Sequence, residues 1–385
     1  MSNVRYRVNR LRLRFRDYGI AAVLGFSGVG MALAFFISPA AQAAPATIYV
    51  SNASNSHCLS TGPGTAISPY CTVQEGVNAA SSGGTVEVEN GTYAEQVTIG
   101  STKNNLTLTG GGSSTTIKAP STMTTSKAII EISGATGVTV QDLTISGPGA
   151  SGCDSLEYGV KVDNGAKATI DYNHITKIED SPFSGCPNGV AILVGHASES
   201  TNGTAVINGN TIDNYQKDGV GVSNTGSSAT ITNNSITGVG PTAIIAQNGI
   251  EITDGAKASL SDNTVKNNQY SPQTVSATDI LLYTPGTVTL KDNVTSKGDV
   301  DIYLQGVAKS SFTDNVATDA TFKGIYADPT STGNSFTDNA ASGTKTGIGN
   351  YDMEDDSTGT GTLKTANTWH NNGCKTSLPA MLCLQ

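Results

Sequence analysis

The sequence has 385 residues, 44 of them glycine, with 6% aromatic residues and a formal net charge of −9. All six arginines lie between Arg5 and Arg16, so residues 44–385 keep 16 lysines against 30 carboxylates, a formal charge of −14. Such a surface repels nucleic acid and anionic membranes, and it lacks the guanidinium fork that usually grips a polyanionic sugar.

In chain order, the arginine-rich start leads into an apolar run from Ile20 to Ile37, and Ala41, Gln42 and Ala43 offer a small-x-small cleavage signal. Residues 1–43 are therefore expected to be a signal peptide and the mature protein to be secreted, with no membrane contact once the leader is cut. An uncleaved anchor is the alternative for a run of this length. Six cysteines follow in the mature part, an even number in an oxidising compartment, which favours bridges over metal ligands. Fifteen pairings are possible; proximity favours Cys58 with Cys71, Cys153 with Cys186 and Cys374 with Cys383.

Residues 44–84 form an N-terminal segment with a capping helix. Thr72 to Ser81 reads as amphipathic, with Thr72 and Glu75 as a capping box and Val73, Val77 and Ala80 facing inward. Gly83 to Ile99 then reads as the first strands. From Gly159 a fragment of the form glycine, β-branched, any, aliphatic recurs: GVKV at Gly159, GVAI at Gly189, GVGV at Gly219, GIEI at Gly249, DILL at Asp279, DIYL at Asp301, GIYA at Gly324 and GIGN at Gly347. The intervals are 30 four times, then 22, 23 and 23. Each period also carries a short alternating strand ending in asparagine, at Asn173, Asn210, Asn234, Asn263, Asn315 and Asn367.

A unit this short cannot bury its apolar face alone, so the turns must stack, with equivalent residues about 4.8 Å apart in files. The fold class this predicts is all-β: a right-handed parallel β-helix over residues 85–368, closed at 369–385 by a disulfide cap that includes Trp369. Asparagines at equivalent corners are expected to form amide ladders.

The longer turns place their extra residues before the glycine slot, in Ser146 to Tyr158, Lys177 to Asn188, Asp213 to Asp218, Thr237 to Asn248 and Lys266 to Thr278. These excursions should wall a trough floored by Lys161, Ala191, Gly221, Glu251, Leu281, Tyr303 and Tyr326. Aromatic residues there suit sugar rings, so Lys161, Tyr303, Tyr326, Tyr215 and Tyr270 are the candidate substrate-binding residues. Glu251, Asp279 and Asp301 are read as outward acids on three successive turns and are the candidate catalytic residues. Asp279 and Asp301 share the slot on adjacent turns, which makes calcium the one cofactor to expect. The ordinary reading of the three is solvated surface acid. Asn188, Asp218 and Asn248 align as a polar ladder.

The GGTVEVENGTY opening after a short helix, the GI-x-V and N-x-I turns and the NTWHNNGC end resemble the secreted bacterial β-helix proteins of the pectin-lyase-like superfamily, over about residues 46–385. The resemblance implies the fold; it includes lyases, hydrolases, esterases and noncatalytic proteins, so it leaves activity open. Gly195 and His196 are similar to the GH pair of β-helix polygalacturonases, but that family's arginine–lysine pair is absent. The mature chain also lacks the arginine that pectate lyases and pectin methylesterases of this fold use. The functional expectation is binding, with possible cleavage, of an extracellular polysaccharide, neutral rather than anionic; the alternative is a noncatalytic surface or matrix adhesion protein. Oligomeric state is left open.

Overall fold

The computed structural model describes residues 46–384 apart from 55 and 125, so the leader and its cleavage site lie outside the described residues. The described strands fall into an 11-stranded and a 20-stranded sheet, with every strand pairing between successive turns parallel. The larger sheet makes two faces of the solenoid, joined where the long strands Thr107–Lys118 and Thr136–Ser146 bend round a corner to pair on both. Three parallel faces thus enclose one core.

Alternation drives the packing. On the 11-stranded face, Val160, Ile192, Val220, Ile250, Ile280, Ile302 and Ile325 stack in one file, each at most 1% exposed. A second file grows along the chain through Ile170, Ile207, Ile231, Leu260, Leu290, Phe312, Phe336 and Trp369. Phe336 stacks on Phe312 at 4.7 Å and on Trp369 at 3.8 Å, and the indole Nε1 donates to Asp355 Oδ2 at 2.7 Å. Trp369 therefore belongs to the last coil as well as to the cap.

The asparagine ladder is continuous. Asn173, Asn210, Asn234, Asn263, Asn293, Asn315, Asn339 and Asn372 each sit at the same corner, and each Nδ2 donates to the next Oδ1 at 2.9–3.2 Å. Each Oδ1 also accepts the backbone N–H of the ladder residue one turn back, which satisfies a buried donor that no strand partner reaches. The preceding residue takes a left-handed conformation, as at Asn233, Asp262, Asp292 and Asp314. Asn367 departs from the expected file; it accepts from Asn334 in a second, shorter ladder.

Two slots are corrected by the register. Ala191 rather than Gly189 lies between Gly159 and Gly219, and Asp352 rather than Gly347 follows Gly324. A two-residue slip preserves the alternation of faces, so the 30-residue interval hides it. The slot also points into the solenoid rather than outward: a Cβ at Gly219 would lie 2.6 Å from Ile236 Cγ2, and one at Gly249 would run into Val265. The facing file reads Ile175, Ile212, Ile236, Val265, Thr295, Ala317 and Ala341. Where it shrinks to Thr295 and Ala317 the slot holds Asp279 and Asp301, and it returns to Gly324 beside Ala341.

The entry cap is helix Val73–Ala79, with the Thr72–Glu75 capping box formed and Val73, Val77 and Ala80 buried. Glu95 adds to it by accepting from the N–H groups of Val73 and Gln74. The solenoid starts earlier than expected, because Thr47–Val50 already pairs in parallel with Thr85–Val88. Cys58 is bridged to Cys71, Cys153 to Cys186 and Cys374 to Cys383.

Candidate functional site

The outward file of the 11-stranded face runs Glu131, Lys161, Leu193, Gly221, Glu251, Leu281, Tyr303, Tyr326 and Glu354. Leu193 takes the place expected of Ala191, a consequence of the same slip. Tyr303 and Tyr326 stack with centroids 5.0 Å apart and planes 16° from parallel, a continuous aromatic platform. Tyr326 Oη donates to Asp356 Oδ2 at 3.0 Å, and Lys323 Nζ lies 3.7 Å from the Tyr326 ring centroid while paired with Glu354.

Gly221 leaves this file open, and a cleft of about 160 Å³ forms there, lined among others by Tyr158, Val190, Leu193, His196, Asp218 and Glu251. Asp218 lies on the neighbouring turn, three residues before Gly221, and its carboxyl is hydrogen-bonded to that of Glu251. Asn248 Nδ2 bridges the two, donating to Asp218 Oδ1 at 3.0 Å and reaching Glu251 Oε2 at 3.3 Å. The Asn248 amide is fixed in turn by Thr278 Oγ1, which donates to Asn248 Oδ1 at 2.6 Å. Burial, and then the charge of Asp218 beside it, push Glu251 up to about 8. Burial also raises Asp218, so the two carboxyls disfavour the doubly ionised state.

A second polar chain borders the cleft. Tyr158 Oη lies 3.3 Å from His196 Nε2, and His196 Nδ1 lies 3.0 Å from Glu199 Oε1. Lys161 Nζ donates to Glu199 Oε2 at 2.6 Å and pairs with Asp163 at 3.3 Å. Burial works against the Glu199 carboxylate, but the Lys161 hydrogen bond and charge outweigh it and hold Glu199 below the ordinary carboxylate range. Lys161 is only 3% exposed and its ammonium is engaged by two carboxylates, so it anchors the loop carrying His196 rather than reaching up to a ligand.

The other sequence candidates lie elsewhere. Asp279 and Asp301 are fully buried under the excursions, on the inward slot, and therefore cannot touch a glycan on the surface. Asp279 accepts from Asn268 Nδ2 at 2.8 Å and Ser296 N at 2.9 Å, and Asp301 Oδ1 from Gly298 N at 2.9 Å. Burial, and for Asp279 the Asp301 charge next, raise both well above the ordinary range. The pair does not fit calcium, which takes six to eight oxygens: three of its four oxygens already face N–H donors, which leaves the buried Asp301 Oδ2 alone. Tyr215 is completely buried, with Oη donating to Asn268 Oδ1 at 2.6 Å, and packs under its excursion instead of lining the trough. Tyr270 is part-buried in a different recess beside Asp299 and Lys345. Asn188 leaves the Asp218–Asn248 ladder for Asp154, and Thr278 takes its place.

Sequence reasoning took Asp218 for a ladder residue and overlooked Glu199. Asp218 could have been found from Asn248 and Glu251, which share one strand three residues apart. Glu199 sits in an excursion on the opposite end of the strand, outside the glycine-slot pattern.

Comparison with known proteins agrees with this geometry. The family model described as a right handed beta helix region matches residues 76–246 and 227–376. No curated protein sequence matches the chain. Similar solved structures include XylC in complex with xylose, with TM-score 0.51, 11% identity, 77% of this chain and 69% of that one covered. Others are a GH136 lacto-N-biosidase from Eubacterium ramulus (0.50, 13%, 86% and 68%) and an alginate lyase from Paenibacillus sp. str. FPU-7 (0.50, 11%, 86% and 99%). At such identities the likeness is one of fold. The chain belongs to the right-handed β-helix family.

Proposed function

We propose that this is an exported carbohydrate-active β-helix that binds a polysaccharide along the outward file, from the Gly221 cleft to the Tyr303–Tyr326 platform, and cleaves it by hydrolysis at the Asp218–Glu251 dyad. The observation that carries the reading is a pair of carboxyls, Asp218 and Glu251, bridged by Asn248 and lining an open cleft, with Glu251 in the same file as two stacked tyrosines. By strand spacing the tyrosines lie about 10 and 14 Å from Glu251, so a glycan parallel to the solenoid axis spans both. Tyrosine faces offer apolar surface to sugar rings, and their hydroxyls stay in reach of polar partners. The xylose bound to XylC is a ligand of the same class.

The two carboxyls touch, instead of standing about 5–10 Å apart as pairs that flank a glycosidic bond do. They therefore act as one unit: Glu251 gives its proton to the leaving glycosidic oxygen as the C–O bond breaks. Water supplies the new oxygen at the anomeric carbon and returns a proton to the dyad. A neutral glycan is favoured, because residues 44–385 contain no arginine and the cleft presents carboxyls. The arginine-rich leader and the three disulfides support export.

The test is a panel of neutral and acidic polysaccharides, read by affinity electrophoresis and by reducing-end release. Wild type is expected to bind and release ends from a neutral member, and Glu251→Gln to cut release by roughly 100-fold or more with binding retained. Release by wild type should fall as pH rises through about 8, where Glu251 loses its proton. Equal release by wild type, Glu251→Gln and Asp218→Asn contradicts the dyad, and a wild type that binds no polysaccharide contradicts the whole reading.

A further inference from the structure

The cleft at Gly221 has two unlike walls. One is the carboxyl dyad. The other belongs to a small apolar cluster lying outside the solenoid core, formed by Ala128, Tyr158, Val190 and Leu193. Leu193 and Val190 aim methyl groups at the opening: a Cβ added to Gly221 would lie 3.2 Å from Leu193 Cδ1 and 3.5 Å from Val190 Cγ1.

Gly221 is not needed for the backbone, since its φ lies outside the left-handed region that favours glycine. Its neighbours in the file are Leu193, Glu251, Leu281 and two tyrosines, so this position accommodates large side chains on every adjoining turn. What glycine provides here is space. At about 160 Å³ the cleft is smaller than the roughly 300–1,000 Å³ of sites that enclose a drug-sized ligand, so it takes one ring or one substituent and leaves the rest of a glycan outside.

Resting on the carbohydrate reading above, we infer that the Gly221 cleft is a specificity subsite for a sugar carrying a methyl-bearing substituent, an acetamido group or a 6-deoxy carbon, with the methyl against Leu193 and Val190 and the ring hydroxyls toward Asp218 and Glu251. A hydroxymethyl or bare hydroxyl seated against Leu193 and Val190 would meet methyl groups on that side, with polar partners only at the cleft's other lining residues such as His196 and Ser223, which is the discrimination a mixed pocket makes.

The full mature chain can be titrated calorimetrically with two matched pairs: chitotetraose against cellotetraose for the acetamido arm, and methyl fucoside against methyl galactoside for the 6-deoxy arm. At least one pair should show a preference of roughly 10-fold for the methyl-bearing member. Gly221→Leu should erase that preference while keeping the melting temperature within a few degrees, since Leu193 and Leu281 are already accommodated in this file. Gly221→Ala should reduce it only partly, and is the reference if the leucine variant does not fold. Absence of discrimination in both arms, no binding of any of the four probes, or a preference that survives Gly221→Leu overturns the inference. If wild type still binds the polysaccharide panel in those cases, only the subsite falls; if it does not, the carbohydrate reading falls with it.

Discussion

Asp279 and Asp301 are buried on the inward slot, where the facing file carries Thr295 and Ala317 in place of Ile and Val. Asp301 Oδ1 accepts the Gly298 N–H, while Oδ2 is buried without a hydrogen-bond donor, and the Asp279 carboxyl lies beside the group. One proton between the two carboxyls removes their repulsion by leaving a single charge, and burial disfavours the doubly ionised pair. Their folded pKa values stand above the unfolded ones. The pair's stabilising contribution is therefore fully present below the ordinary carboxylate pKa and is lost as pH rises toward the raised values. Asp301→Asn keeps the acceptor for Gly298 and gives Asp279 a permanent donor. It should raise the thermal midpoint at alkaline pH, by an amount equivalent to about 1–3 kcal/mol, and change it little near pH 5. Parallel melts of the two proteins across pH decide the matter; an equal shift at both ends rules out a shared proton. Added calcium should leave the wild-type midpoint unchanged, because one unengaged oxygen falls far short of the six to eight that calcium takes.

At the scale of the element, the asparagine ladder and the graded core file hold successive turns in register. Asn293 accepts from the backbone N–H and Nδ2 of Asn263 and donates to Asn315 and Leu260. Asn293→Ala strands several buried polar groups and should destabilise the solenoid by about 3 kcal/mol in a denaturant titration. Asp292→Asn, on the exposed left-handed residue beside it, should change stability by less than about 0.5 kcal/mol. A comparable loss from both would mean that the ladder carries no special weight. These files were largely legible in the sequence, because a side chain in a stacked turn repeats its neighbour's environment. Two things were not legible. Interval counting cannot see a two-residue slip such as the one at Gly189, which exchanges Ala191 for Leu193 on the trough floor. Nor does alternation reveal that a residue at a corner, such as Asp279, turns inward although it shares parity with outward Glu251.

For residues 46–384 as a whole, the two ends are the places where stacking stops, and each is covered differently. At the entry, the Thr72–Glu75 capping box and Glu95 seat a short helix over the first turn. At the exit, Trp369 ends the aromatic stack and the Cys374–Cys383 loop folds beside it. Between them the outward face changes character, from charged Glu131 and Lys161 through the cleft to the tyrosine platform, while the Val and Ile file of the same strands, from Val160 to Ile325, stays uniform. The proposed glycan path follows this outward file. The dyad at the centre of that file was only half visible beforehand: Glu251 stood out by its outward position, whereas Asp218 could be assigned only once the side chains of two turns were seen to meet. A carbon-13 NMR titration of the glutamate side-chain carboxyls, with Glu251→Gln for assignment, tests the shared proton directly. One resonance should titrate near pH 8 and vanish in the variant; if the resonance lost in Glu251→Gln titrates below about 5 like an ordinary glutamate, the dyad does not hold a proton at neutral pH and the account of the site is wrong.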